Sequence, residues 1–131
     1  MADRVPGARD VALNVMDWRG FVINTAETAV TLVASDSGII FVQNYATACT
    51  YTLPDVTTGA GKMFMIVNLN TATSTVITTS DATALIKGTY TAGAAKTTLT
   101  SVAVGDAAII IGDGSYWYFI NLSATGWTIT T

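Results

Sequence analysis

Four aspartates, Asp36, Asp81, Asp106 and Asp113, are the residues whose chemistry could supply a paired acid and base or an oxygen cage for a hard cation. Each stands beside glycine or serine, the setting in which an aspartate closes a turn by bonding to nearby backbone. No EF-hand spacing occurs, and no carboxylate pair is flanked by aromatic platforms for a sugar substrate. Turn chemistry is therefore the expectation for all four. Histidine is absent, which removes the commonest general base and the base of every Ser-His or Cys-His pair. The single cysteine, Cys49, can form no intrachain disulfide, and a tetrahedral zinc site lacks its usual ligands. Residues 56–63, VTTGAGKM, place Gly61 and Lys62 as a phosphate loop would. Such a loop needs glycine where Val56 stands and a hydroxyl where Met63 stands, and it must open a helix, whereas residues 63–69 read as a strand. No catalytic residue, metal or cofactor is expected, and the chain is not expected to be an enzyme.

The aromatic residues Tyr116, Trp117, Tyr118 and Trp127 offer a different chemistry, because exposed Trp and Tyr on a β-surface can stack on sugar rings. In a strand, Trp117 and Phe119 share one face while Tyr116, Tyr118 and Ile120 share the other. One face must be core. Burying a side chain of this size contributes roughly 1.5–3 kcal/mol, so core packing or a subunit contact is expected ahead of a sugar platform. Cys49 shares an apolar face with Tyr51 and Leu53 and has no basic neighbour in sequence to activate it, which reads as a buried structural thiol.

The elements that must position these groups are β-strands. From Gly20 onward threonine dominates, with Val, Ile, Tyr, Phe and Trp supplying most of the rest, and these side chains fit a pleated, half-buried surface. Val30, Leu32 and Ala34 alternate with Thr31, Val33 and Ser35, and Cys49, Tyr51 and Leu53 alternate with Thr50, Thr52 and Pro54. Each pattern gives one face to a core. Residues 39–42, 63–67 and 109–111 are continuously apolar, as expected of strands that are central or that contact a neighbour on their second face. Turn signals recur about every ten residues with no helical pattern between them. Residues 107–111 and 116–122, around Asp113 and Gly114, read as a hairpin. Residues 71–101 are 22 of 31 Thr, Ala, Ser or Gly, with few large side chains to pin a register. No fixed-period repeat announces a solenoid or propeller.

Half of the 131 residues are hydrophobic and only 11% are charged, so part of the surface is expected to meet another protein. Mean hydropathy is +0.48, yet the apolar runs fall far short of the roughly 18–20 residues that span a bilayer. No membrane is expected as a partner. A net charge of −3 with three lysines leaves no basic stripe for phosphates, so no nucleic acid is expected either. The opening MADRVPGARD carries charges of both signs and no apolar stretch of signal-peptide length, which argues against classical secretion. Six of the fifteen charges, including all three arginines, lie in residues 1–20. There Val11, Leu13 and Val15 alternate with Ala12, Asn14 and Met16, while Pro6 and Gly7 discourage a helix at the start. An extended N-terminal arm over residues 1–20 is expected, with a short helix over 10–18 as the competing reading. Residues 21–131 are expected to form an all-β, antiparallel β-sandwich or jelly-roll-like body.

The order of pieces in residues 28–122 resembles a family of β-sandwich modules in tailed-phage virion proteins, especially head decoration (cement) proteins and fibre tips. The segments that carry it are TAVTLVASDSGIIFVQN (28–44), YTLPDVTTGAGKMFMIVN (51–68), ALIKG (84–88) and VGDAAIIIGDGSYWYFI (104–120). They supply a Leu53-Pro54 turn, a Gly61-Lys62 strand entry, and a final strand pair closed by Asp113-Gly114 and entered through Trp117-Tyr118. The arm lies outside the resemblance. The likeness implies a homotrimer without catalytic residues, located on the outer surface of the virion head and bound to the major capsid protein. On that expectation Val11, Leu13, Val15 and Trp18 are apolar anchors, and Arg4, Arg9 and Arg19 pair with acidic capsid groups. The alternative is a receptor- or glycan-binding knob of a tail fibre or spike, with Tyr116, Tyr118 or Trp127 as the exposed platform.

Overall fold

A computed structural model of the chain describes residues 18–70, 75–80, 86–88, 95–123 and 126–130. The described residues form twelve strands: β1 (Gly20–Asn24), β2 (Ala29–Thr31), β3 (Ile39–Gln43), β4 (Cys49–Thr52), β5 (Met63–Asn68), β6 (Thr75–Thr78), β7 (Ile86–Gly88), β8 (Ala95–Lys96), β9 (Thr98–Ser101), β10 (Ala107–Gly112), β11 (Trp117–Asn121) and β12 (Trp127–Thr130). They form a seven-stranded sheet, ordered β1-β3-β5-β10-β11-β7-β8, and a five-stranded sheet, ordered β12-β9-β6-β4-β2. The protein is an all-β sandwich.

Strand direction departs from the expected antiparallel arrangement: both sheets are mixed. From β1 to β6 the chain changes sheet at every strand, so β1, β3 and β5 pair in parallel in one sheet while β2, β4 and β6 pair in parallel in the other. This is a three-rung coil. A parallel pair needs a crossover connection, and each crossover here is a strand of the opposite sheet. The winding left no fixed period to find because its rungs are unequal. Partners lie 19 residues apart between β1 and β3 but 25 apart between β3 and β5, the longer rung holding the loop at 54–62. The last strands close the coil with antiparallel pairs, β5 to β10, β10 to β11, β6 to β9 and β9 to β12.

Between the sheets lies a core that includes Leu32, Phe41, Cys49, Tyr51, Leu53, Phe64, Ile66, Ile77, Leu99, Ile110, Trp117, Phe119 and Trp127. Alternation explains it: Cys49, Tyr51 and Leu53 point inward, as do Phe64 and Ile66 and then Trp117 and Phe119. The predicted hairpin is β10-β11, with Gly112 opposite Trp117. Its turn is closed by the Asp113 carboxylate, whose Oδ1 accepts from the backbone N–H of Ser115 and of Tyr116, each at 2.7 Å. The three continuously apolar segments are β3, β5 and β10, adjacent in the middle of the larger sheet. Trp117 is seated beneath Gly59 and Gly112, and a Cβ at either position would collide with its ring.

Candidate assembly surface

Register places the outward residues of the larger sheet in rows. Phe21 lies opposite Ile40, Ile40 opposite Met65, Met65 opposite Ile109, and Ile109 opposite Ile120, so one row crosses five strands without a polar side chain. A second row runs Ile23, Val42, Val67 and Ala107, and Leu122, whose N–H bonds to the Ala107 carbonyl, continues it. A third joins Met63, Ile111 and Tyr118. None of these residues is charged. Their inward neighbours fill the core, while on the outer face Phe21 is 67% exposed, Ile23 50%, Leu122 49% and Ile120 38%, Ile40, Met65 and Ile109 are partly exposed, and Ala107 is buried. A contiguous apolar surface that is not core is the usual mark of an interaction site.

The smaller sheet presents the opposite character outward. Thr31, Thr52, Thr78, Thr98 and Thr130 stand in one row across all five strands. The adjacent row reads Ala29, Thr50, Val76, Thr100 and Thr128. Hydroxyls in such rows can bond to water and to one another, so this face is suited to hydration.

Asp36, Asp106 and Asp113 bond to nearby backbone, as their neighbours in sequence implied. Asp106 is buried, and its Oδ2 accepts from the N–H groups of Val102 and Ala103 at 2.7 and 2.8 Å. Asp36 Oδ2 accepts from the Val33 N–H at 2.9 Å, and Asp55 Oδ1 from the Thr57 N–H at 2.8 Å. Asp81 lies outside the described residues. Among the described residues, no three Cys, Asp or Glu side chains gather as a metal site, and no helix is long and apolar enough to cross a membrane.

Of the aromatic candidates, Trp127 is corrected outright as an exposed contact. It is 6% exposed, packs edge-on against Phe119 and donates its indole N–H to the Ala107 carbonyl at 3.2 Å. Its strand alternates Trp127 and Ile129 against Thr128 and Thr130, and the apolar pair turns inward. Tyr116 is half-buried, and Tyr118 is exposed with its hydroxyl donating to Asp113 Oδ2 at 2.8 Å. That bond to a carboxylate holds the Tyr118 phenol above its ordinary pKa.

Arg4, Arg9, Val11, Leu13 and Val15, and with them most of the expected arm, lie outside the described residues. Trp18 is partly buried. Arg19 belongs to the body: its N–H bonds to the Gly38 carbonyl at 2.7 Å and its guanidinium donates to the Ser35 carbonyl at 2.6 Å.

Where the coil starts, a recess of about 350 Å³ opens between the first rung and the second, lined in part by Val22, Asn24, Val30, Phe41 and Tyr51. Asn24 and Tyr51, two of its lining residues, belong to a buried polar network. Asn24 donates to Gln43 Oε1 at 2.6 Å, Tyr51 donates to the same oxygen at 3.1 Å, and Gln43 donates to the Thr47 carbonyl at 3.1 Å. The Cys49 thiol lies 3.4 Å from Asn24 Nδ2, and burial pushes its pKa up despite the hydrogen bonds that oppose the shift. This thiol is unsuited to nucleophilic chemistry.

The rows of the larger sheet were only partly visible in the sequence. Continuous apolar runs announced that both faces of β3, β5 and β10 would be used, but the cross-strand partners of Phe21 and Ile120 depend on register. No family model, curated protein or solved structure matches this chain.

Proposed function

We propose that this chain is a non-enzymatic structural protein of a tailed-phage virion, a trimeric decoration protein that sits on the outer surface of the head and bridges neighbouring copies of the major capsid protein. The observation that carries this reading is the uncharged apolar face of the larger sheet, set against side chains engaged in turns and core rather than in reactive constellations. Such a molecule acts by binding. A ligand that binds only the assembled shell stabilises it by RT ln(1 + [L]/Kd), and three linked arms add effective concentration. The arm supplies Val11, Leu13 and Val15 as anchors and Arg4 and Arg9 as partners for acidic capsid groups, while Arg19 is held by its own domain. The glycan-binding alternative now rests on Tyr116 and Tyr118 alone, since Trp127 is in the core.

Cosedimentation with undecorated heads tests the proposal. The full chain is expected to pellet with heads, and a chain lacking residues 1–17 is expected to fold but remain in the supernatant. Failure of the full chain to bind heads contradicts the decoration role, and undiminished binding of the truncated chain contradicts the arm.

A further inference from the structure

We propose that the outer face of the seven-stranded sheet is where copies of this chain meet, with Phe21, Ile40, Met65, Ile109 and Ile120 as the central row of the contact. The assignment rests on the reading above that the protein is an assembly subunit, and it names the surface and the partner.

Several observations favour a second copy as the occupant. Five strands about 4.8 Å apart, each some five residues long at about 3.4 Å per residue, give a footprint on the order of 400 Å². That matches the largest apolar patches monomers expose, roughly 300–600 Å². The rows led by Phe21 and Ile23 hold no carboxylate, ammonium or guanidinium, whereas in the third Tyr118 bonds to Asp113 and stands opposite Lys87 of β7, so identical faces can approach along the first two rows without burying like charges. Interfaces between identical subunits are also the more apolar class and resemble a core cut in two. Covering a face of this kind is favourable as soon as the chain folds, and another copy is the partner always present then. The threonine rows of the smaller sheet are left outward, facing water.

Sedimentation velocity on the full chain and on single variants tests this. The full chain is expected to be oligomeric, at three times 13.7 kDa for the trimer proposed above. Met65→Lys and Ile109→Lys, in the middle of the row, are expected to give folded monomers with an unchanged β circular-dichroism spectrum. Thr52→Lys, on the opposite sheet, is expected to leave the oligomer intact. A monomeric full chain, oligomeric Met65→Lys and Ile109→Lys variants, or dissociation by Thr52→Lys overturns the proposal.

Peroxide oxidation of the unsubstituted chain, followed by mass spectrometry, remains decisive even where a lysine variant fails to fold. Met63 and Met65 are expected to be protected in the oligomer and to oxidise at least several-fold faster on dilution to monomer. Protection that survives dilution but is lost on deleting residues 1–17 identifies the chain's own arm as the cover. Flotation with phosphatidylcholine–phosphatidylglycerol vesicles identifies a lipid surface. Either result overturns the inference. Head binding is read on the same samples: a monomer that binds heads sinks this inference alone, and an oligomer that ignores heads sinks the decoration role alone.

Discussion

Tyr118 and Asp113 form a contact whose pH dependence has a definite sign. The Asp113 carboxylate accepts a hydrogen bond from the phenol and so raises the Tyr118 pKa. A group whose folded pKa is raised contributes stability that is present below its unfolded value, about 10 for tyrosine, and is lost as the pH climbs through the folded value. A carbon-13 NMR titration is expected to place Tyr118 above the ordinary tyrosine value in the native chain, and Asp113→Asn is expected to bring it back down. An unshifted Tyr118 contradicts the contact. At Trp117 the constraint is steric. Gly59→Ala or Gly112→Ala drives a methyl against the indole or the facing backbone, and overpacking of this kind costs about 1–3 kcal/mol. Urea denaturation should show that loss, and an unchanged midpoint would mean that the ring moves aside. Cys49, buried and with a raised pKa, is expected to ignore a disulfide reagent at pH 8 until the chain unfolds, then to release one thiol per chain. Rapid reaction of the native protein contradicts its place in the core.

At the scale of elements, the first rung is tied to the rest by polar contacts more than by apolar burial. Every residue of β1 except Asn24 is exposed, and Asn24 is fully engaged: its Oδ1 accepts from the N–H groups of Ala26 and Glu27 while its Nδ2 donates to Gln43. Losing a buried hydrogen-bonding side chain that leaves partners unsatisfied costs about 1–3 kcal/mol. Asn24→Ala is expected to speed hydrogen exchange in Gly20–Asn24 and Ile39–Gln43 while leaving Ala107–Gly112 protected. Uniform acceleration across all three would mean that the rung does not open by itself. The β10-β11 hairpin and the inward face of Cys49, Tyr51 and Leu53 were legible in the sequence, because each depends on local alternation or on turn chemistry, whereas the alternation over residues 30–35 overran β2, which ends at Thr31 before a 3-10 turn at Ala34–Asp36. Direction was not legible. Turn residues mark where a strand ends but not which sheet the chain enters next, and unequal rungs hid the parallel coil. The inward turn of Trp127 was available from its alternation with Thr128 and was outweighed by the chemistry that exposed tryptophan offers.

For the whole molecule, two outer faces of unlike chemistry define what it can do. One sheet turns rows of threonine outward and the other turns rows of Ile, Val, Met and Phe outward. Burial of the second face contributes about 25 cal/mol per Å² of apolar area removed from water, less the cost of association, and that stabilisation is available only through a partner. Residues 1–17 precede β1, the edge strand that carries Phe21 and Ile23, in the sequence. The account stands on this face being closed by protein, and the native mass of the full chain tests it most directly. Light scattering on a size-exclusion peak at micromolar concentration is predicted to give three times 13.7 kDa. A single-chain mass that persists at every concentration would contradict it.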